Sequence, residues 1–396
     1  LKIETMKYNF DKVIDRSGTS AEKVEGLKHI WGRTDLIPLW VADMDFATAP
    51  FVTDAIRKRC ENEVLGYTGK PDSYYNAIIN WVKQRYDLIV TKEVINFVPG
   101  IVPGIGMAMN CFTQKGDKVM IQPPVYHPFA WVTTRNERTL VINPLKWENG
   151  MYRMDLDAFR EQIKGCKLFI LCNPHNPGGV VWTEAELRAI ADICYDEKVL
   201  VFSDEIHADL TLPPHTHRPF ATVSEKARMN SVTFMSPSKA FNMPGLSASH
   251  ALIFNEDLRK RFRIYMDAGE LDMGHVFAFL SVEAAYSHGT EWLDQCLAYI
   301  QGNIDFVDEF LKKHAPKIKA IRPEASYLVW LDCRELELSQ KDLNEFFVDK
   351  AHLALNDGEM FGKEGIGFMR LNVASPRCII EKAMKQLADA YQLYIK

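Results

Sequence analysis

Short apolar runs alternate with helical patterns of hydrophobic residues between positions 94 and 254. This alternation is typical of an open, mostly parallel sheet covered by helices. One helix is marked at its start, where Thr183 and Glu186 form a capping box, and Leu187 and Ile190 follow on one face. The pattern predicts a large α/β domain with a mostly parallel seven-stranded sheet in an α/β/α sandwich. The predicted strands are INFV, KVMI, TLVI, KLFIL, VLVF, SVTFM and ALIF.

The pattern changes near Gly289, where long amphipathic helices begin. Two further strands are predicted, SYLVWL at 326–331 and FMRLNV at 368–373, before a final helix that carries Leu387. Apolar positions three and four residues apart predict a helix face that packs in a core. In the first long helix these positions are Leu293, Leu297, Ile300, Ile304, Val307 and Leu311.

These elements divide the chain into three parts. We expect a large domain over 46–288 and a smaller α+β domain over 289–396. Residues 1–45 hold no long periodic helix, so we expect them to pack with the small domain or with a partner subunit. Leu1 is not the product of a start codon, whereas Met6 opens a plausible frame, so the natural first residue stays open.

The composition is that of a soluble globular protein. The 396 residues are 47% hydrophobic and 25% charged, a balance that disfavours a disordered or membrane-embedded chain. The formal net charge of -5, without clustered Lys and Arg, disfavours a nucleic-acid partner. Neither a secretory signal nor a long apolar span is visible, and the 8 cysteines lie dispersed without a CxxC pair. We therefore expect a reduced, cytoplasmic protein.

Polar side chains follow three of the predicted strands. Asn173 and Asn176 come after KLFIL, Asp204 comes just after VLVF, and Lys239 follows SVTFM in a turn rich in hydroxyl groups. In open α/β sheets, ligands gather at the carboxyl ends of the strands. Pyridoxal phosphate needs a lysine for its aldehyde, an acid for its ring nitrogen and a donor for its phenolic oxygen. The three strand ends therefore predict an enzyme that uses this cofactor.

Each of these residues also has a plain structural interpretation. Lys239 alone is typical of a solvated loop, and Asp204 alone is typical of a helix cap. Within the set, Lys239 is the predicted Schiff-base lysine, and burial would lower the pKa of its amine. Ser236 and Ser238 then offer hydroxyls to the cofactor phosphate. A lone histidine is more often structural, but His207 reaches the phenolic oxygen if a helical turn begins after Asp204.

Two further segments complete the predicted cofactor site. In VPGIVPGIGM, the amides of Ile101 and Val102 begin a helix and are placed to bind an anion. The glycines match neither the dinucleotide fingerprint nor a P-loop, so binding of nicotinamide cofactors or nucleoside triphosphates loses support. Tyr126 follows the strand KVMI and is placed to stack on the cofactor ring; a core or interface tyrosine is the alternative.

Arg370 lies inside the apolar strand FMRLNV. A guanidinium is costly to bury without a partner, so this residue needs an anion. One interpretation is a bidentate contact with the α-carboxylate of an amino-acid substrate. The other is an internal ion pair with an acidic residue. Because the sequence has no HExxH motif and no Cys/His cluster, no metal site is expected.

Together these motifs resemble the fold-type I pyridoxal-phosphate enzymes of the aspartate aminotransferase superfamily, over essentially the whole chain. The resemblance is to the cystathionine β-lyase, or carbon–sulfur lyase, branch. The segments that carry it are LWVADMDF at 39–46, PVYHPF at 124–129, CNPHNPGG at 172–179, DEIHADL at 204–210 and SPSKAFNMPGL at 236–246.

The resemblance implies a role for each residue of the site, with the large domain binding pyridoxal phosphate. It also implies a homodimer in which Tyr67 reaches the phosphate of the cofactor in the neighbouring subunit. The implied roles are Lys239 as the Schiff-base lysine, Asp204 at the ring nitrogen, Asn176 near the phenolic oxygen, Tyr126 stacked on the ring, and Arg370 at the substrate carboxylate.

Two positions depart from the broader aminotransferase pattern. Ser247 stands where that pattern usually has a phosphate-binding arginine, and His207 stands where many aminotransferases have tyrosine. Both differences favour the lyase branch. The first also leaves the cofactor phosphate with less positive charge than usual.

The resemblance therefore implies a carbon–sulfur β-lyase that converts cystathionine or a related cysteine S-conjugate into a thiol, pyruvate and ammonia. An aminotransferase that acts on amino acids and 2-oxo acids is the alternative, because Lys239 can also return the substrate proton to the cofactor. Two further alternatives stay open. One is a regulatory role through protein contacts in addition to catalysis. The other is a nicotinamide dehydrogenase, which the missing fingerprint disfavours.

Overall fold

The computed structural model describes residues 7–394, so Met6 and the first residues of the predicted segment 1–45 lie outside it. The helices are α1 (Glu22–Trp31), α2 (Pro50–Cys60), α3 (Asp72–Tyr86), α4 (Ile101–Phe112), α5 (Pro128–Arg135), α6 (Leu156–Gln162), α7 (Glu184–Asp196), α8 (Glu225–Met229), α9 (Glu256–Asp267), α10 (Val276–His288), α11 (Thr290–His314), α12 (Gln340–Glu345) and α13 (Arg377–Tyr394). The strands are β1 (Ile37–Pro38), β2 (Ile95–Val98), β3 (Lys118–Ile121), β4 (Thr139–Ile142), β5 (Lys146–Glu148), β6 (Met151–Arg153), β7 (Cys166–Cys172), β8 (Leu200–Asp204), β9 (Ser231–Met235), β10 (Ser249–Leu252), β11 (Lys319–Ile321), β12 (Leu328–Asp332), β13 (Leu353–Ala354), β14 (Asn356–Asp357) and β15 (Phe368–Asn372).

The central sheet has seven strands in the order β2-β10-β9-β8-β7-β3-β4. β10 runs antiparallel to both of its neighbours, and the remaining strand pairs are parallel. Ile95–Val98 and Ser231–Met235 are buried along their whole length, as expected for strands covered on both faces. The predicted, mostly parallel seven-stranded sheet is confirmed. The strand predicted at ALIF (251–254) lies two residues nearer the N-terminus in the structure, where β10 spans Ser249–Leu252.

Alternate residues of the central strands pack into two separate cores. Along β7, Phe169 contributes to a buried cluster with Leu187 and Ile190 of α7. The next residue, Ile170, points to the opposite face and shares a cluster with Ile105 of α4. This period of two places helices on both sides of the sheet. The predicted capping box at the start of α7 is present, with reciprocal hydrogen bonds between Thr183 and Glu186.

A second sheet, antiparallel and four-stranded, has the order β11-β12-β15-β14. It places Arg370 of β15 between Trp330 of β12 and Asn356 of β14. The N-terminal segment joins this part of the molecule, because β1 pairs with β13 and Lys7 forms an ion pair with Glu291 at 2.8 Å. The apolar stripe predicted in α11 is buried at each position: Leu293, Leu297, Ile300, Ile304, Val307 and Leu311.

Between residues 7 and 394, no helix combines the length and apolar character that crossing a lipid bilayer requires.

Candidate active site

A cavity of about 200 Å³ opens at the carboxyl ends of the central strands. β7 ends at Cys172 and β8 ends at Asp204, and these two residues are paired directly across the sheet. β9 lies beside β8 and leads into the turn that carries Lys239. The parallel order therefore brings together polar residues that are far apart in the sequence. The predicted site residues that line the cavity are Ile101, Val102, Tyr126, Asn176, Asp204, His207, Ser238 and Lys239.

Lys239 is partly buried, with its amine inside the cavity. Its Nζ donates a hydrogen bond to the carbonyl oxygen of Ala42 at 2.6 Å. Burial lowers the pKa of this amine to about 8, although the nearby carboxylate of Asp43 acts in the opposite direction. A fraction of the amine is therefore neutral and nucleophilic near neutral pH.

Asp204 is buried at the end of β8. Its Oδ1 accepts a hydrogen bond from the backbone amide of Ile206 at 3.1 Å, and within residues 7–394 no cation forms a salt bridge with it. Because burial penalises the charged form, the pKa of this carboxyl rises to about 7. A cationic group brought to Asp204 would stabilise the carboxylate, since few neighbours compete for it.

The cavity also contains the N-terminus of α4. The helix begins at Ile101, after Gly100, whose φ of 148° is rarely adopted by other residues. The first amides of a helix lack partners within the helix and carry partial positive charge, so those of Ile101 and Val102 suit an anion. Among the cavity-lining residues, Lys239 is the sole lysine or arginine, and Ser247 is exposed at the rim.

His207 and Asn176 also line the cavity. The ring of His207 is buried, and its Nδ1 has no hydrogen-bond partner in the described part of the chain. Burial lowers the pKa of His207 to about 3, with further contributions from the charges of Lys239 and Arg370. The imidazole is therefore neutral and able to accept or donate one hydrogen bond to a bound group. The Oδ1 of Asn176 accepts a hydrogen bond from Arg370 at 3.1 Å.

Tyr126 contributes its ring to the cavity at the start of the segment that leads into α5. The ring packs edge-on against Phe129, with centroids 5.8 Å apart. Burial raises the pKa of the phenol, so it stays protonated. A flat ring bound in the cavity would find an aromatic neighbour here.

Arg370 is buried behind Asn176 and does not itself line the cavity. Its guanidinium also donates to the carbonyl of Trp40 at 3.1 Å and to Oδ1 of Asn356 at 2.5 Å, while its Nε has no partner among residues 7–394. No carboxylate in this range forms a salt bridge with it. The internal ion pair considered from the sequence is thus not observed, which leaves the anion-binding interpretation. Burial lowers the pKa of Arg370 to about 10, so the group remains a cation.

Besides Arg370, two predicted residues do not line the cavity. Ser236 is buried, and its hydroxyl donates to the carbonyl of Ala248 at 2.8 Å and accepts from the amide of Ser238 at 3.1 Å. Ser236 therefore holds Ser238 in place, and it is not among the cavity-lining residues. Tyr67 is 97% exposed, in the loop that follows α2. Among residues 7–394, Tyr67 is not one of those that line the cavity.

Several residues of the site have no role assigned from the sequence. The carbonyl of Ala42 binds Lys239, and Asn356 binds Arg370. Ser249 also lines the cavity. A backbone carbonyl leaves no sequence signature, and the partner of a buried arginine depends on strand pairing.

A family sequence model described as aminotransferase class I and II matches residues 34–387. Among curated proteins, this chain is similar to "Cystathionine beta-lyase PatB" of Bacillus subtilis, with 38% identity over 96% of this chain and 99% of that protein.

Solved structures show the same architecture. A "PLP-bound putative aminotransferase" from Clostridium difficile is 40% identical, with a TM-score of 0.95 over 97% of this chain and 100% of the other. A "PLP-bound C-S lyase" from Staphylococcus hominis is 35% identical, with a TM-score of 0.90 over 98% of this chain and 99% of the other. The predicted fold class is confirmed, and similarity extends along nearly the whole length of each protein.

Proposed function

Because this chain belongs to the aminotransferase class I and II family, we propose that it is a carbon–sulfur β-lyase that uses pyridoxal 5′-phosphate. One observation carries the chemistry: the amine of Lys239 and the carboxyl of Asp204 line one cavity beside the N-terminus of α4. The relatives named cystathionine β-lyase and C–S lyase support the type of reaction. The proposed substrate is cystathionine or a related cysteine S-conjugate, and the products are a thiol, pyruvate and ammonia.

The donors in the cavity fit this cofactor. Asp204 is able to hold the ring nitrogen, because its carboxylate has few competing partners. The amides of Ile101 and Val102 suit the phosphate, together with the hydroxyl of Ser238. Ser236 supports this end by fixing the amide of Ser238.

The remaining residues fit the ring and its substituents. Tyr126 and Asn176 line the same cavity, and their proposed roles are to stack on the pyridine ring and to bind the phenolic oxygen. The partnerless Nδ1 of His207 is a buried polar atom that a bound group would satisfy. Lys239 supplies the amine for the Schiff base.

When bound, the cofactor supplies a protonated pyridine ring that takes up the electron pair left at the substrate Cα. The carboxylate of Asp204 would hold the proton on the ring nitrogen. The contact would be strong, because Asp204 lies in a buried, weakly screened environment. A neutral residue at position 204 would leave the ring less able to withdraw electrons.

Lys239 is proposed to move the proton. Its Nζ takes the proton from Cα, which is feasible near neutral pH because burial lowers the pKa of the amine to about 8. The bond between Cβ and sulfur then breaks, and its electron pair leaves with the sulfur as a thiolate. The remaining 2-aminoacrylate is released and hydrolyses to pyruvate and ammonia, so that water is the further reactant.

Arg370 is proposed to bind the α-carboxylate of the substrate. It is a buried cation without an acidic partner in the described chain, and Asn176 and Asn356 hold its guanidinium by neutral oxygens. These contacts orient the cation but leave its charge uncompensated. A substrate carboxylate would supply the compensating negative charge and would bind the guanidinium with bidentate geometry.

The same proposal includes the location, the assembly and the domain division of the chain. The chain is proposed to act in the cytoplasm as a homodimer, with Tyr67 reaching the cofactor phosphate of the partner. The exposure of the loop after α2 supports the homodimer, because Val64, Leu65 and Tyr67 are 71%, 58% and 97% exposed, and a run of exposed apolar side chains marks a contact with another molecule. The domain division is proposed as 1–45, 46–288 for the cofactor-binding domain and 289–396 for the small domain.

An aminotransferase is the second candidate, and the relative titled putative aminotransferase, with 40% identity, favours it. In that reaction Lys239 would return the proton to the cofactor and no bond at Cβ would break. The residues described here serve both reactions.

The test compares the two reactions in one purified protein. The enzyme is incubated with L-cystathionine alone, and separately with L-alanine and a 2-oxo acid, while thiol, pyruvate and the new amino acid are measured. Thiol and pyruvate formed in equal amounts without an oxo acid establish the lyase. Turnover that requires the oxo acid makes the protein an aminotransferase. The Lys239→Ala variant should abolish either reaction, whereas the exposed Lys226→Ala control should not.

A further inference from the structure

The segment Trp40–Asp43 presents a row of backbone carbonyls to side chains of the active site. Trp40 O accepts from Arg370 at 3.1 Å. Nδ2 of Asn372 lies 2.7 Å from both Val41 O and Asp43 O. Two alternate residues of β15, Arg370 and Asn372, thus tie this segment to the second sheet. The segment is held firmly enough for its carbonyls to act as fixed acceptors.

The carbonyl of Ala42, between Val41 and Asp43, accepts hydrogen bonds from two donors. Ala42 O accepts from Lys239 Nζ at 2.6 Å and from the hydroxyl of Tyr327 at 2.9 Å. Tyr327 has no exposed surface, and its own carbonyl is fixed by the amide of Val373 at 2.9 Å. Its hydroxyl therefore points at Ala42 O from a fixed position just before β12.

We propose that Tyr327 is a positioning residue for Lys239, and that it acts by holding the carbonyl of Ala42 as the acceptor for the lysine amine whenever that amine is not bonded to the cofactor. This inference rests on the proposed cofactor chemistry, in which Lys239 is released when the substrate amine takes its place. When one N–H of Lys239 donates to Ala42 O, the lone pair of Nζ points away from that oxygen. The released amine is thereby oriented to take a proton.

The surroundings of Tyr327 suit this role. Burial, together with the nearby charge of Asp43, raises the pKa of the phenol well above its ordinary value, so the hydroxyl remains a donor. When Lys239 is bonded to the cofactor, Tyr327 is still present to satisfy the buried carbonyl. When Lys239 is released, the carbonyl is already in position, so little rearrangement is needed.

The experiment measures how readily Lys239 gives up the cofactor. Holoenzyme is titrated with L-alanine, which has an amine but no leaving group at Cβ, and the change in cofactor absorbance reports its exchange with Lys239. Propionate is the matched ligand, because it has the same carboxylate and no amine; its affinity is measured by competition. The variants are Tyr327→Phe and Tyr327→Met, which both lack the hydroxyl but pack differently.

Tyr74→Phe is the matched control. Tyr74 is equally buried, and its hydroxyl has no partner in the described part of the chain. Reduction with borohydride, followed by peptide mass analysis, checks in each variant that the cofactor is attached at Lys239. Thermal unfolding checks that each variant is folded.

In both Tyr327 variants, the affinity for L-alanine should fall by about 3- to 10-fold, the range for loss of one hydrogen bond. Propionate affinity should stay within about twofold, and Tyr74→Phe should resemble the wild type. Unchanged L-alanine affinity in a folded variant overturns the inference, and so does an equal loss for both ligands, which would show only a disturbed carboxylate site. If the wild type exchanges the cofactor with L-alanine but releases no thiol from cystathionine, the lyase proposal fails. The affinities of the variants for L-alanine and propionate still test the role of Tyr327.

Discussion

Asn356 lies directly opposite Arg370 in the antiparallel pair of β14 and β15, and its Oδ1 accepts a hydrogen bond from the guanidinium at 2.5 Å. The contact orients a buried cation without neutralising it. An aspartate at this position would have nearly the same shape but would form an ion pair. The choice of amide rather than acid therefore keeps Arg370 available for an external carboxylate.

We predict that Asn356→Asp raises KM for L-cystathionine at least about 10-fold, with a smaller effect on kcat. The new carboxylate competes with the substrate for the same guanidinium, and charge-assisted hydrogen bonds of this kind contribute about 1.5–3 kcal/mol. Steady-state kinetics provide the measurement, and thermal unfolding shows whether the variant is folded. An unchanged KM would remove Arg370 from the substrate site.

Asp204 should make the protein without cofactor less stable as the pH rises. Burial raises its pKa from 3.8 to about 7, so the folded state holds this proton more tightly than the unfolded state. The stabilisation from Asp204 is complete below pH 4 and is lost as the pH passes through 7. At pH 8 the buried charge costs on the order of 4 kcal/mol.

Asp204→Asn should therefore stabilise the cofactor-free protein at pH 8 by about 2–4 kcal/mol and have little effect at pH 4. Urea unfolding at the two pH values measures the difference. The same variant should lose most activity in the presence of the cofactor, because an amide does not hold the ring nitrogen protonated. Equal stability changes at both pH values would show that Asp204 is not titrating in this range.

Ser247→Arg should strengthen cofactor binding. Ser247 is exposed at the rim of a cavity whose sole lysine or arginine, within the described chain, is Lys239. A guanidinium there would form charge-assisted hydrogen bonds with the phosphate, which predicts a dissociation constant about 10- to 100-fold lower. Equilibrium dialysis followed by absorbance measures it. Gln114→Arg, an exposed position beyond the C-terminal end of α4, controls for net charge; an equal effect there would contradict a local contact.

Tyr67 should act across a subunit boundary. Tyr67→Ala and Lys239→Ala are each expected to be nearly inactive. Mixed by unfolding and refolding in equal amounts, they should recover about a quarter of wild-type activity, because random pairing gives half heterodimers with one intact site of two. No recovery, in a mixture shown to contain heterodimers, would place Tyr67 in the site of its own chain.

Much of the architecture was predictable from the sequence because it follows from local periodicity. Apolar runs such as Ile95–Val98 predicted the strands of the central sheet, and the stripe of α11 predicted its buried face. Lys239 and Asp204 were predictable as a pair, since Asp204 lies at the carboxyl end of one such strand and Lys239 in the turn that follows another. A parallel sheet brings the carboxyl ends of its strands to one edge, whatever the intervening sequence.

Contacts between distant segments were decided by the tertiary structure alone. The sequence left two partners open for Arg370, and only the pairing of β14 with β15 places a neutral amide beside it. Likewise, no pattern connects Tyr327 and Lys239 to the carbonyl of Ala42, because every residue except proline has the same backbone groups. The sequence determined which strands and helices form and where their polar ends lie. Long-range packing determined which polar atoms meet there, since hydrogen bonds depend on distances of a few tenths of an ångström.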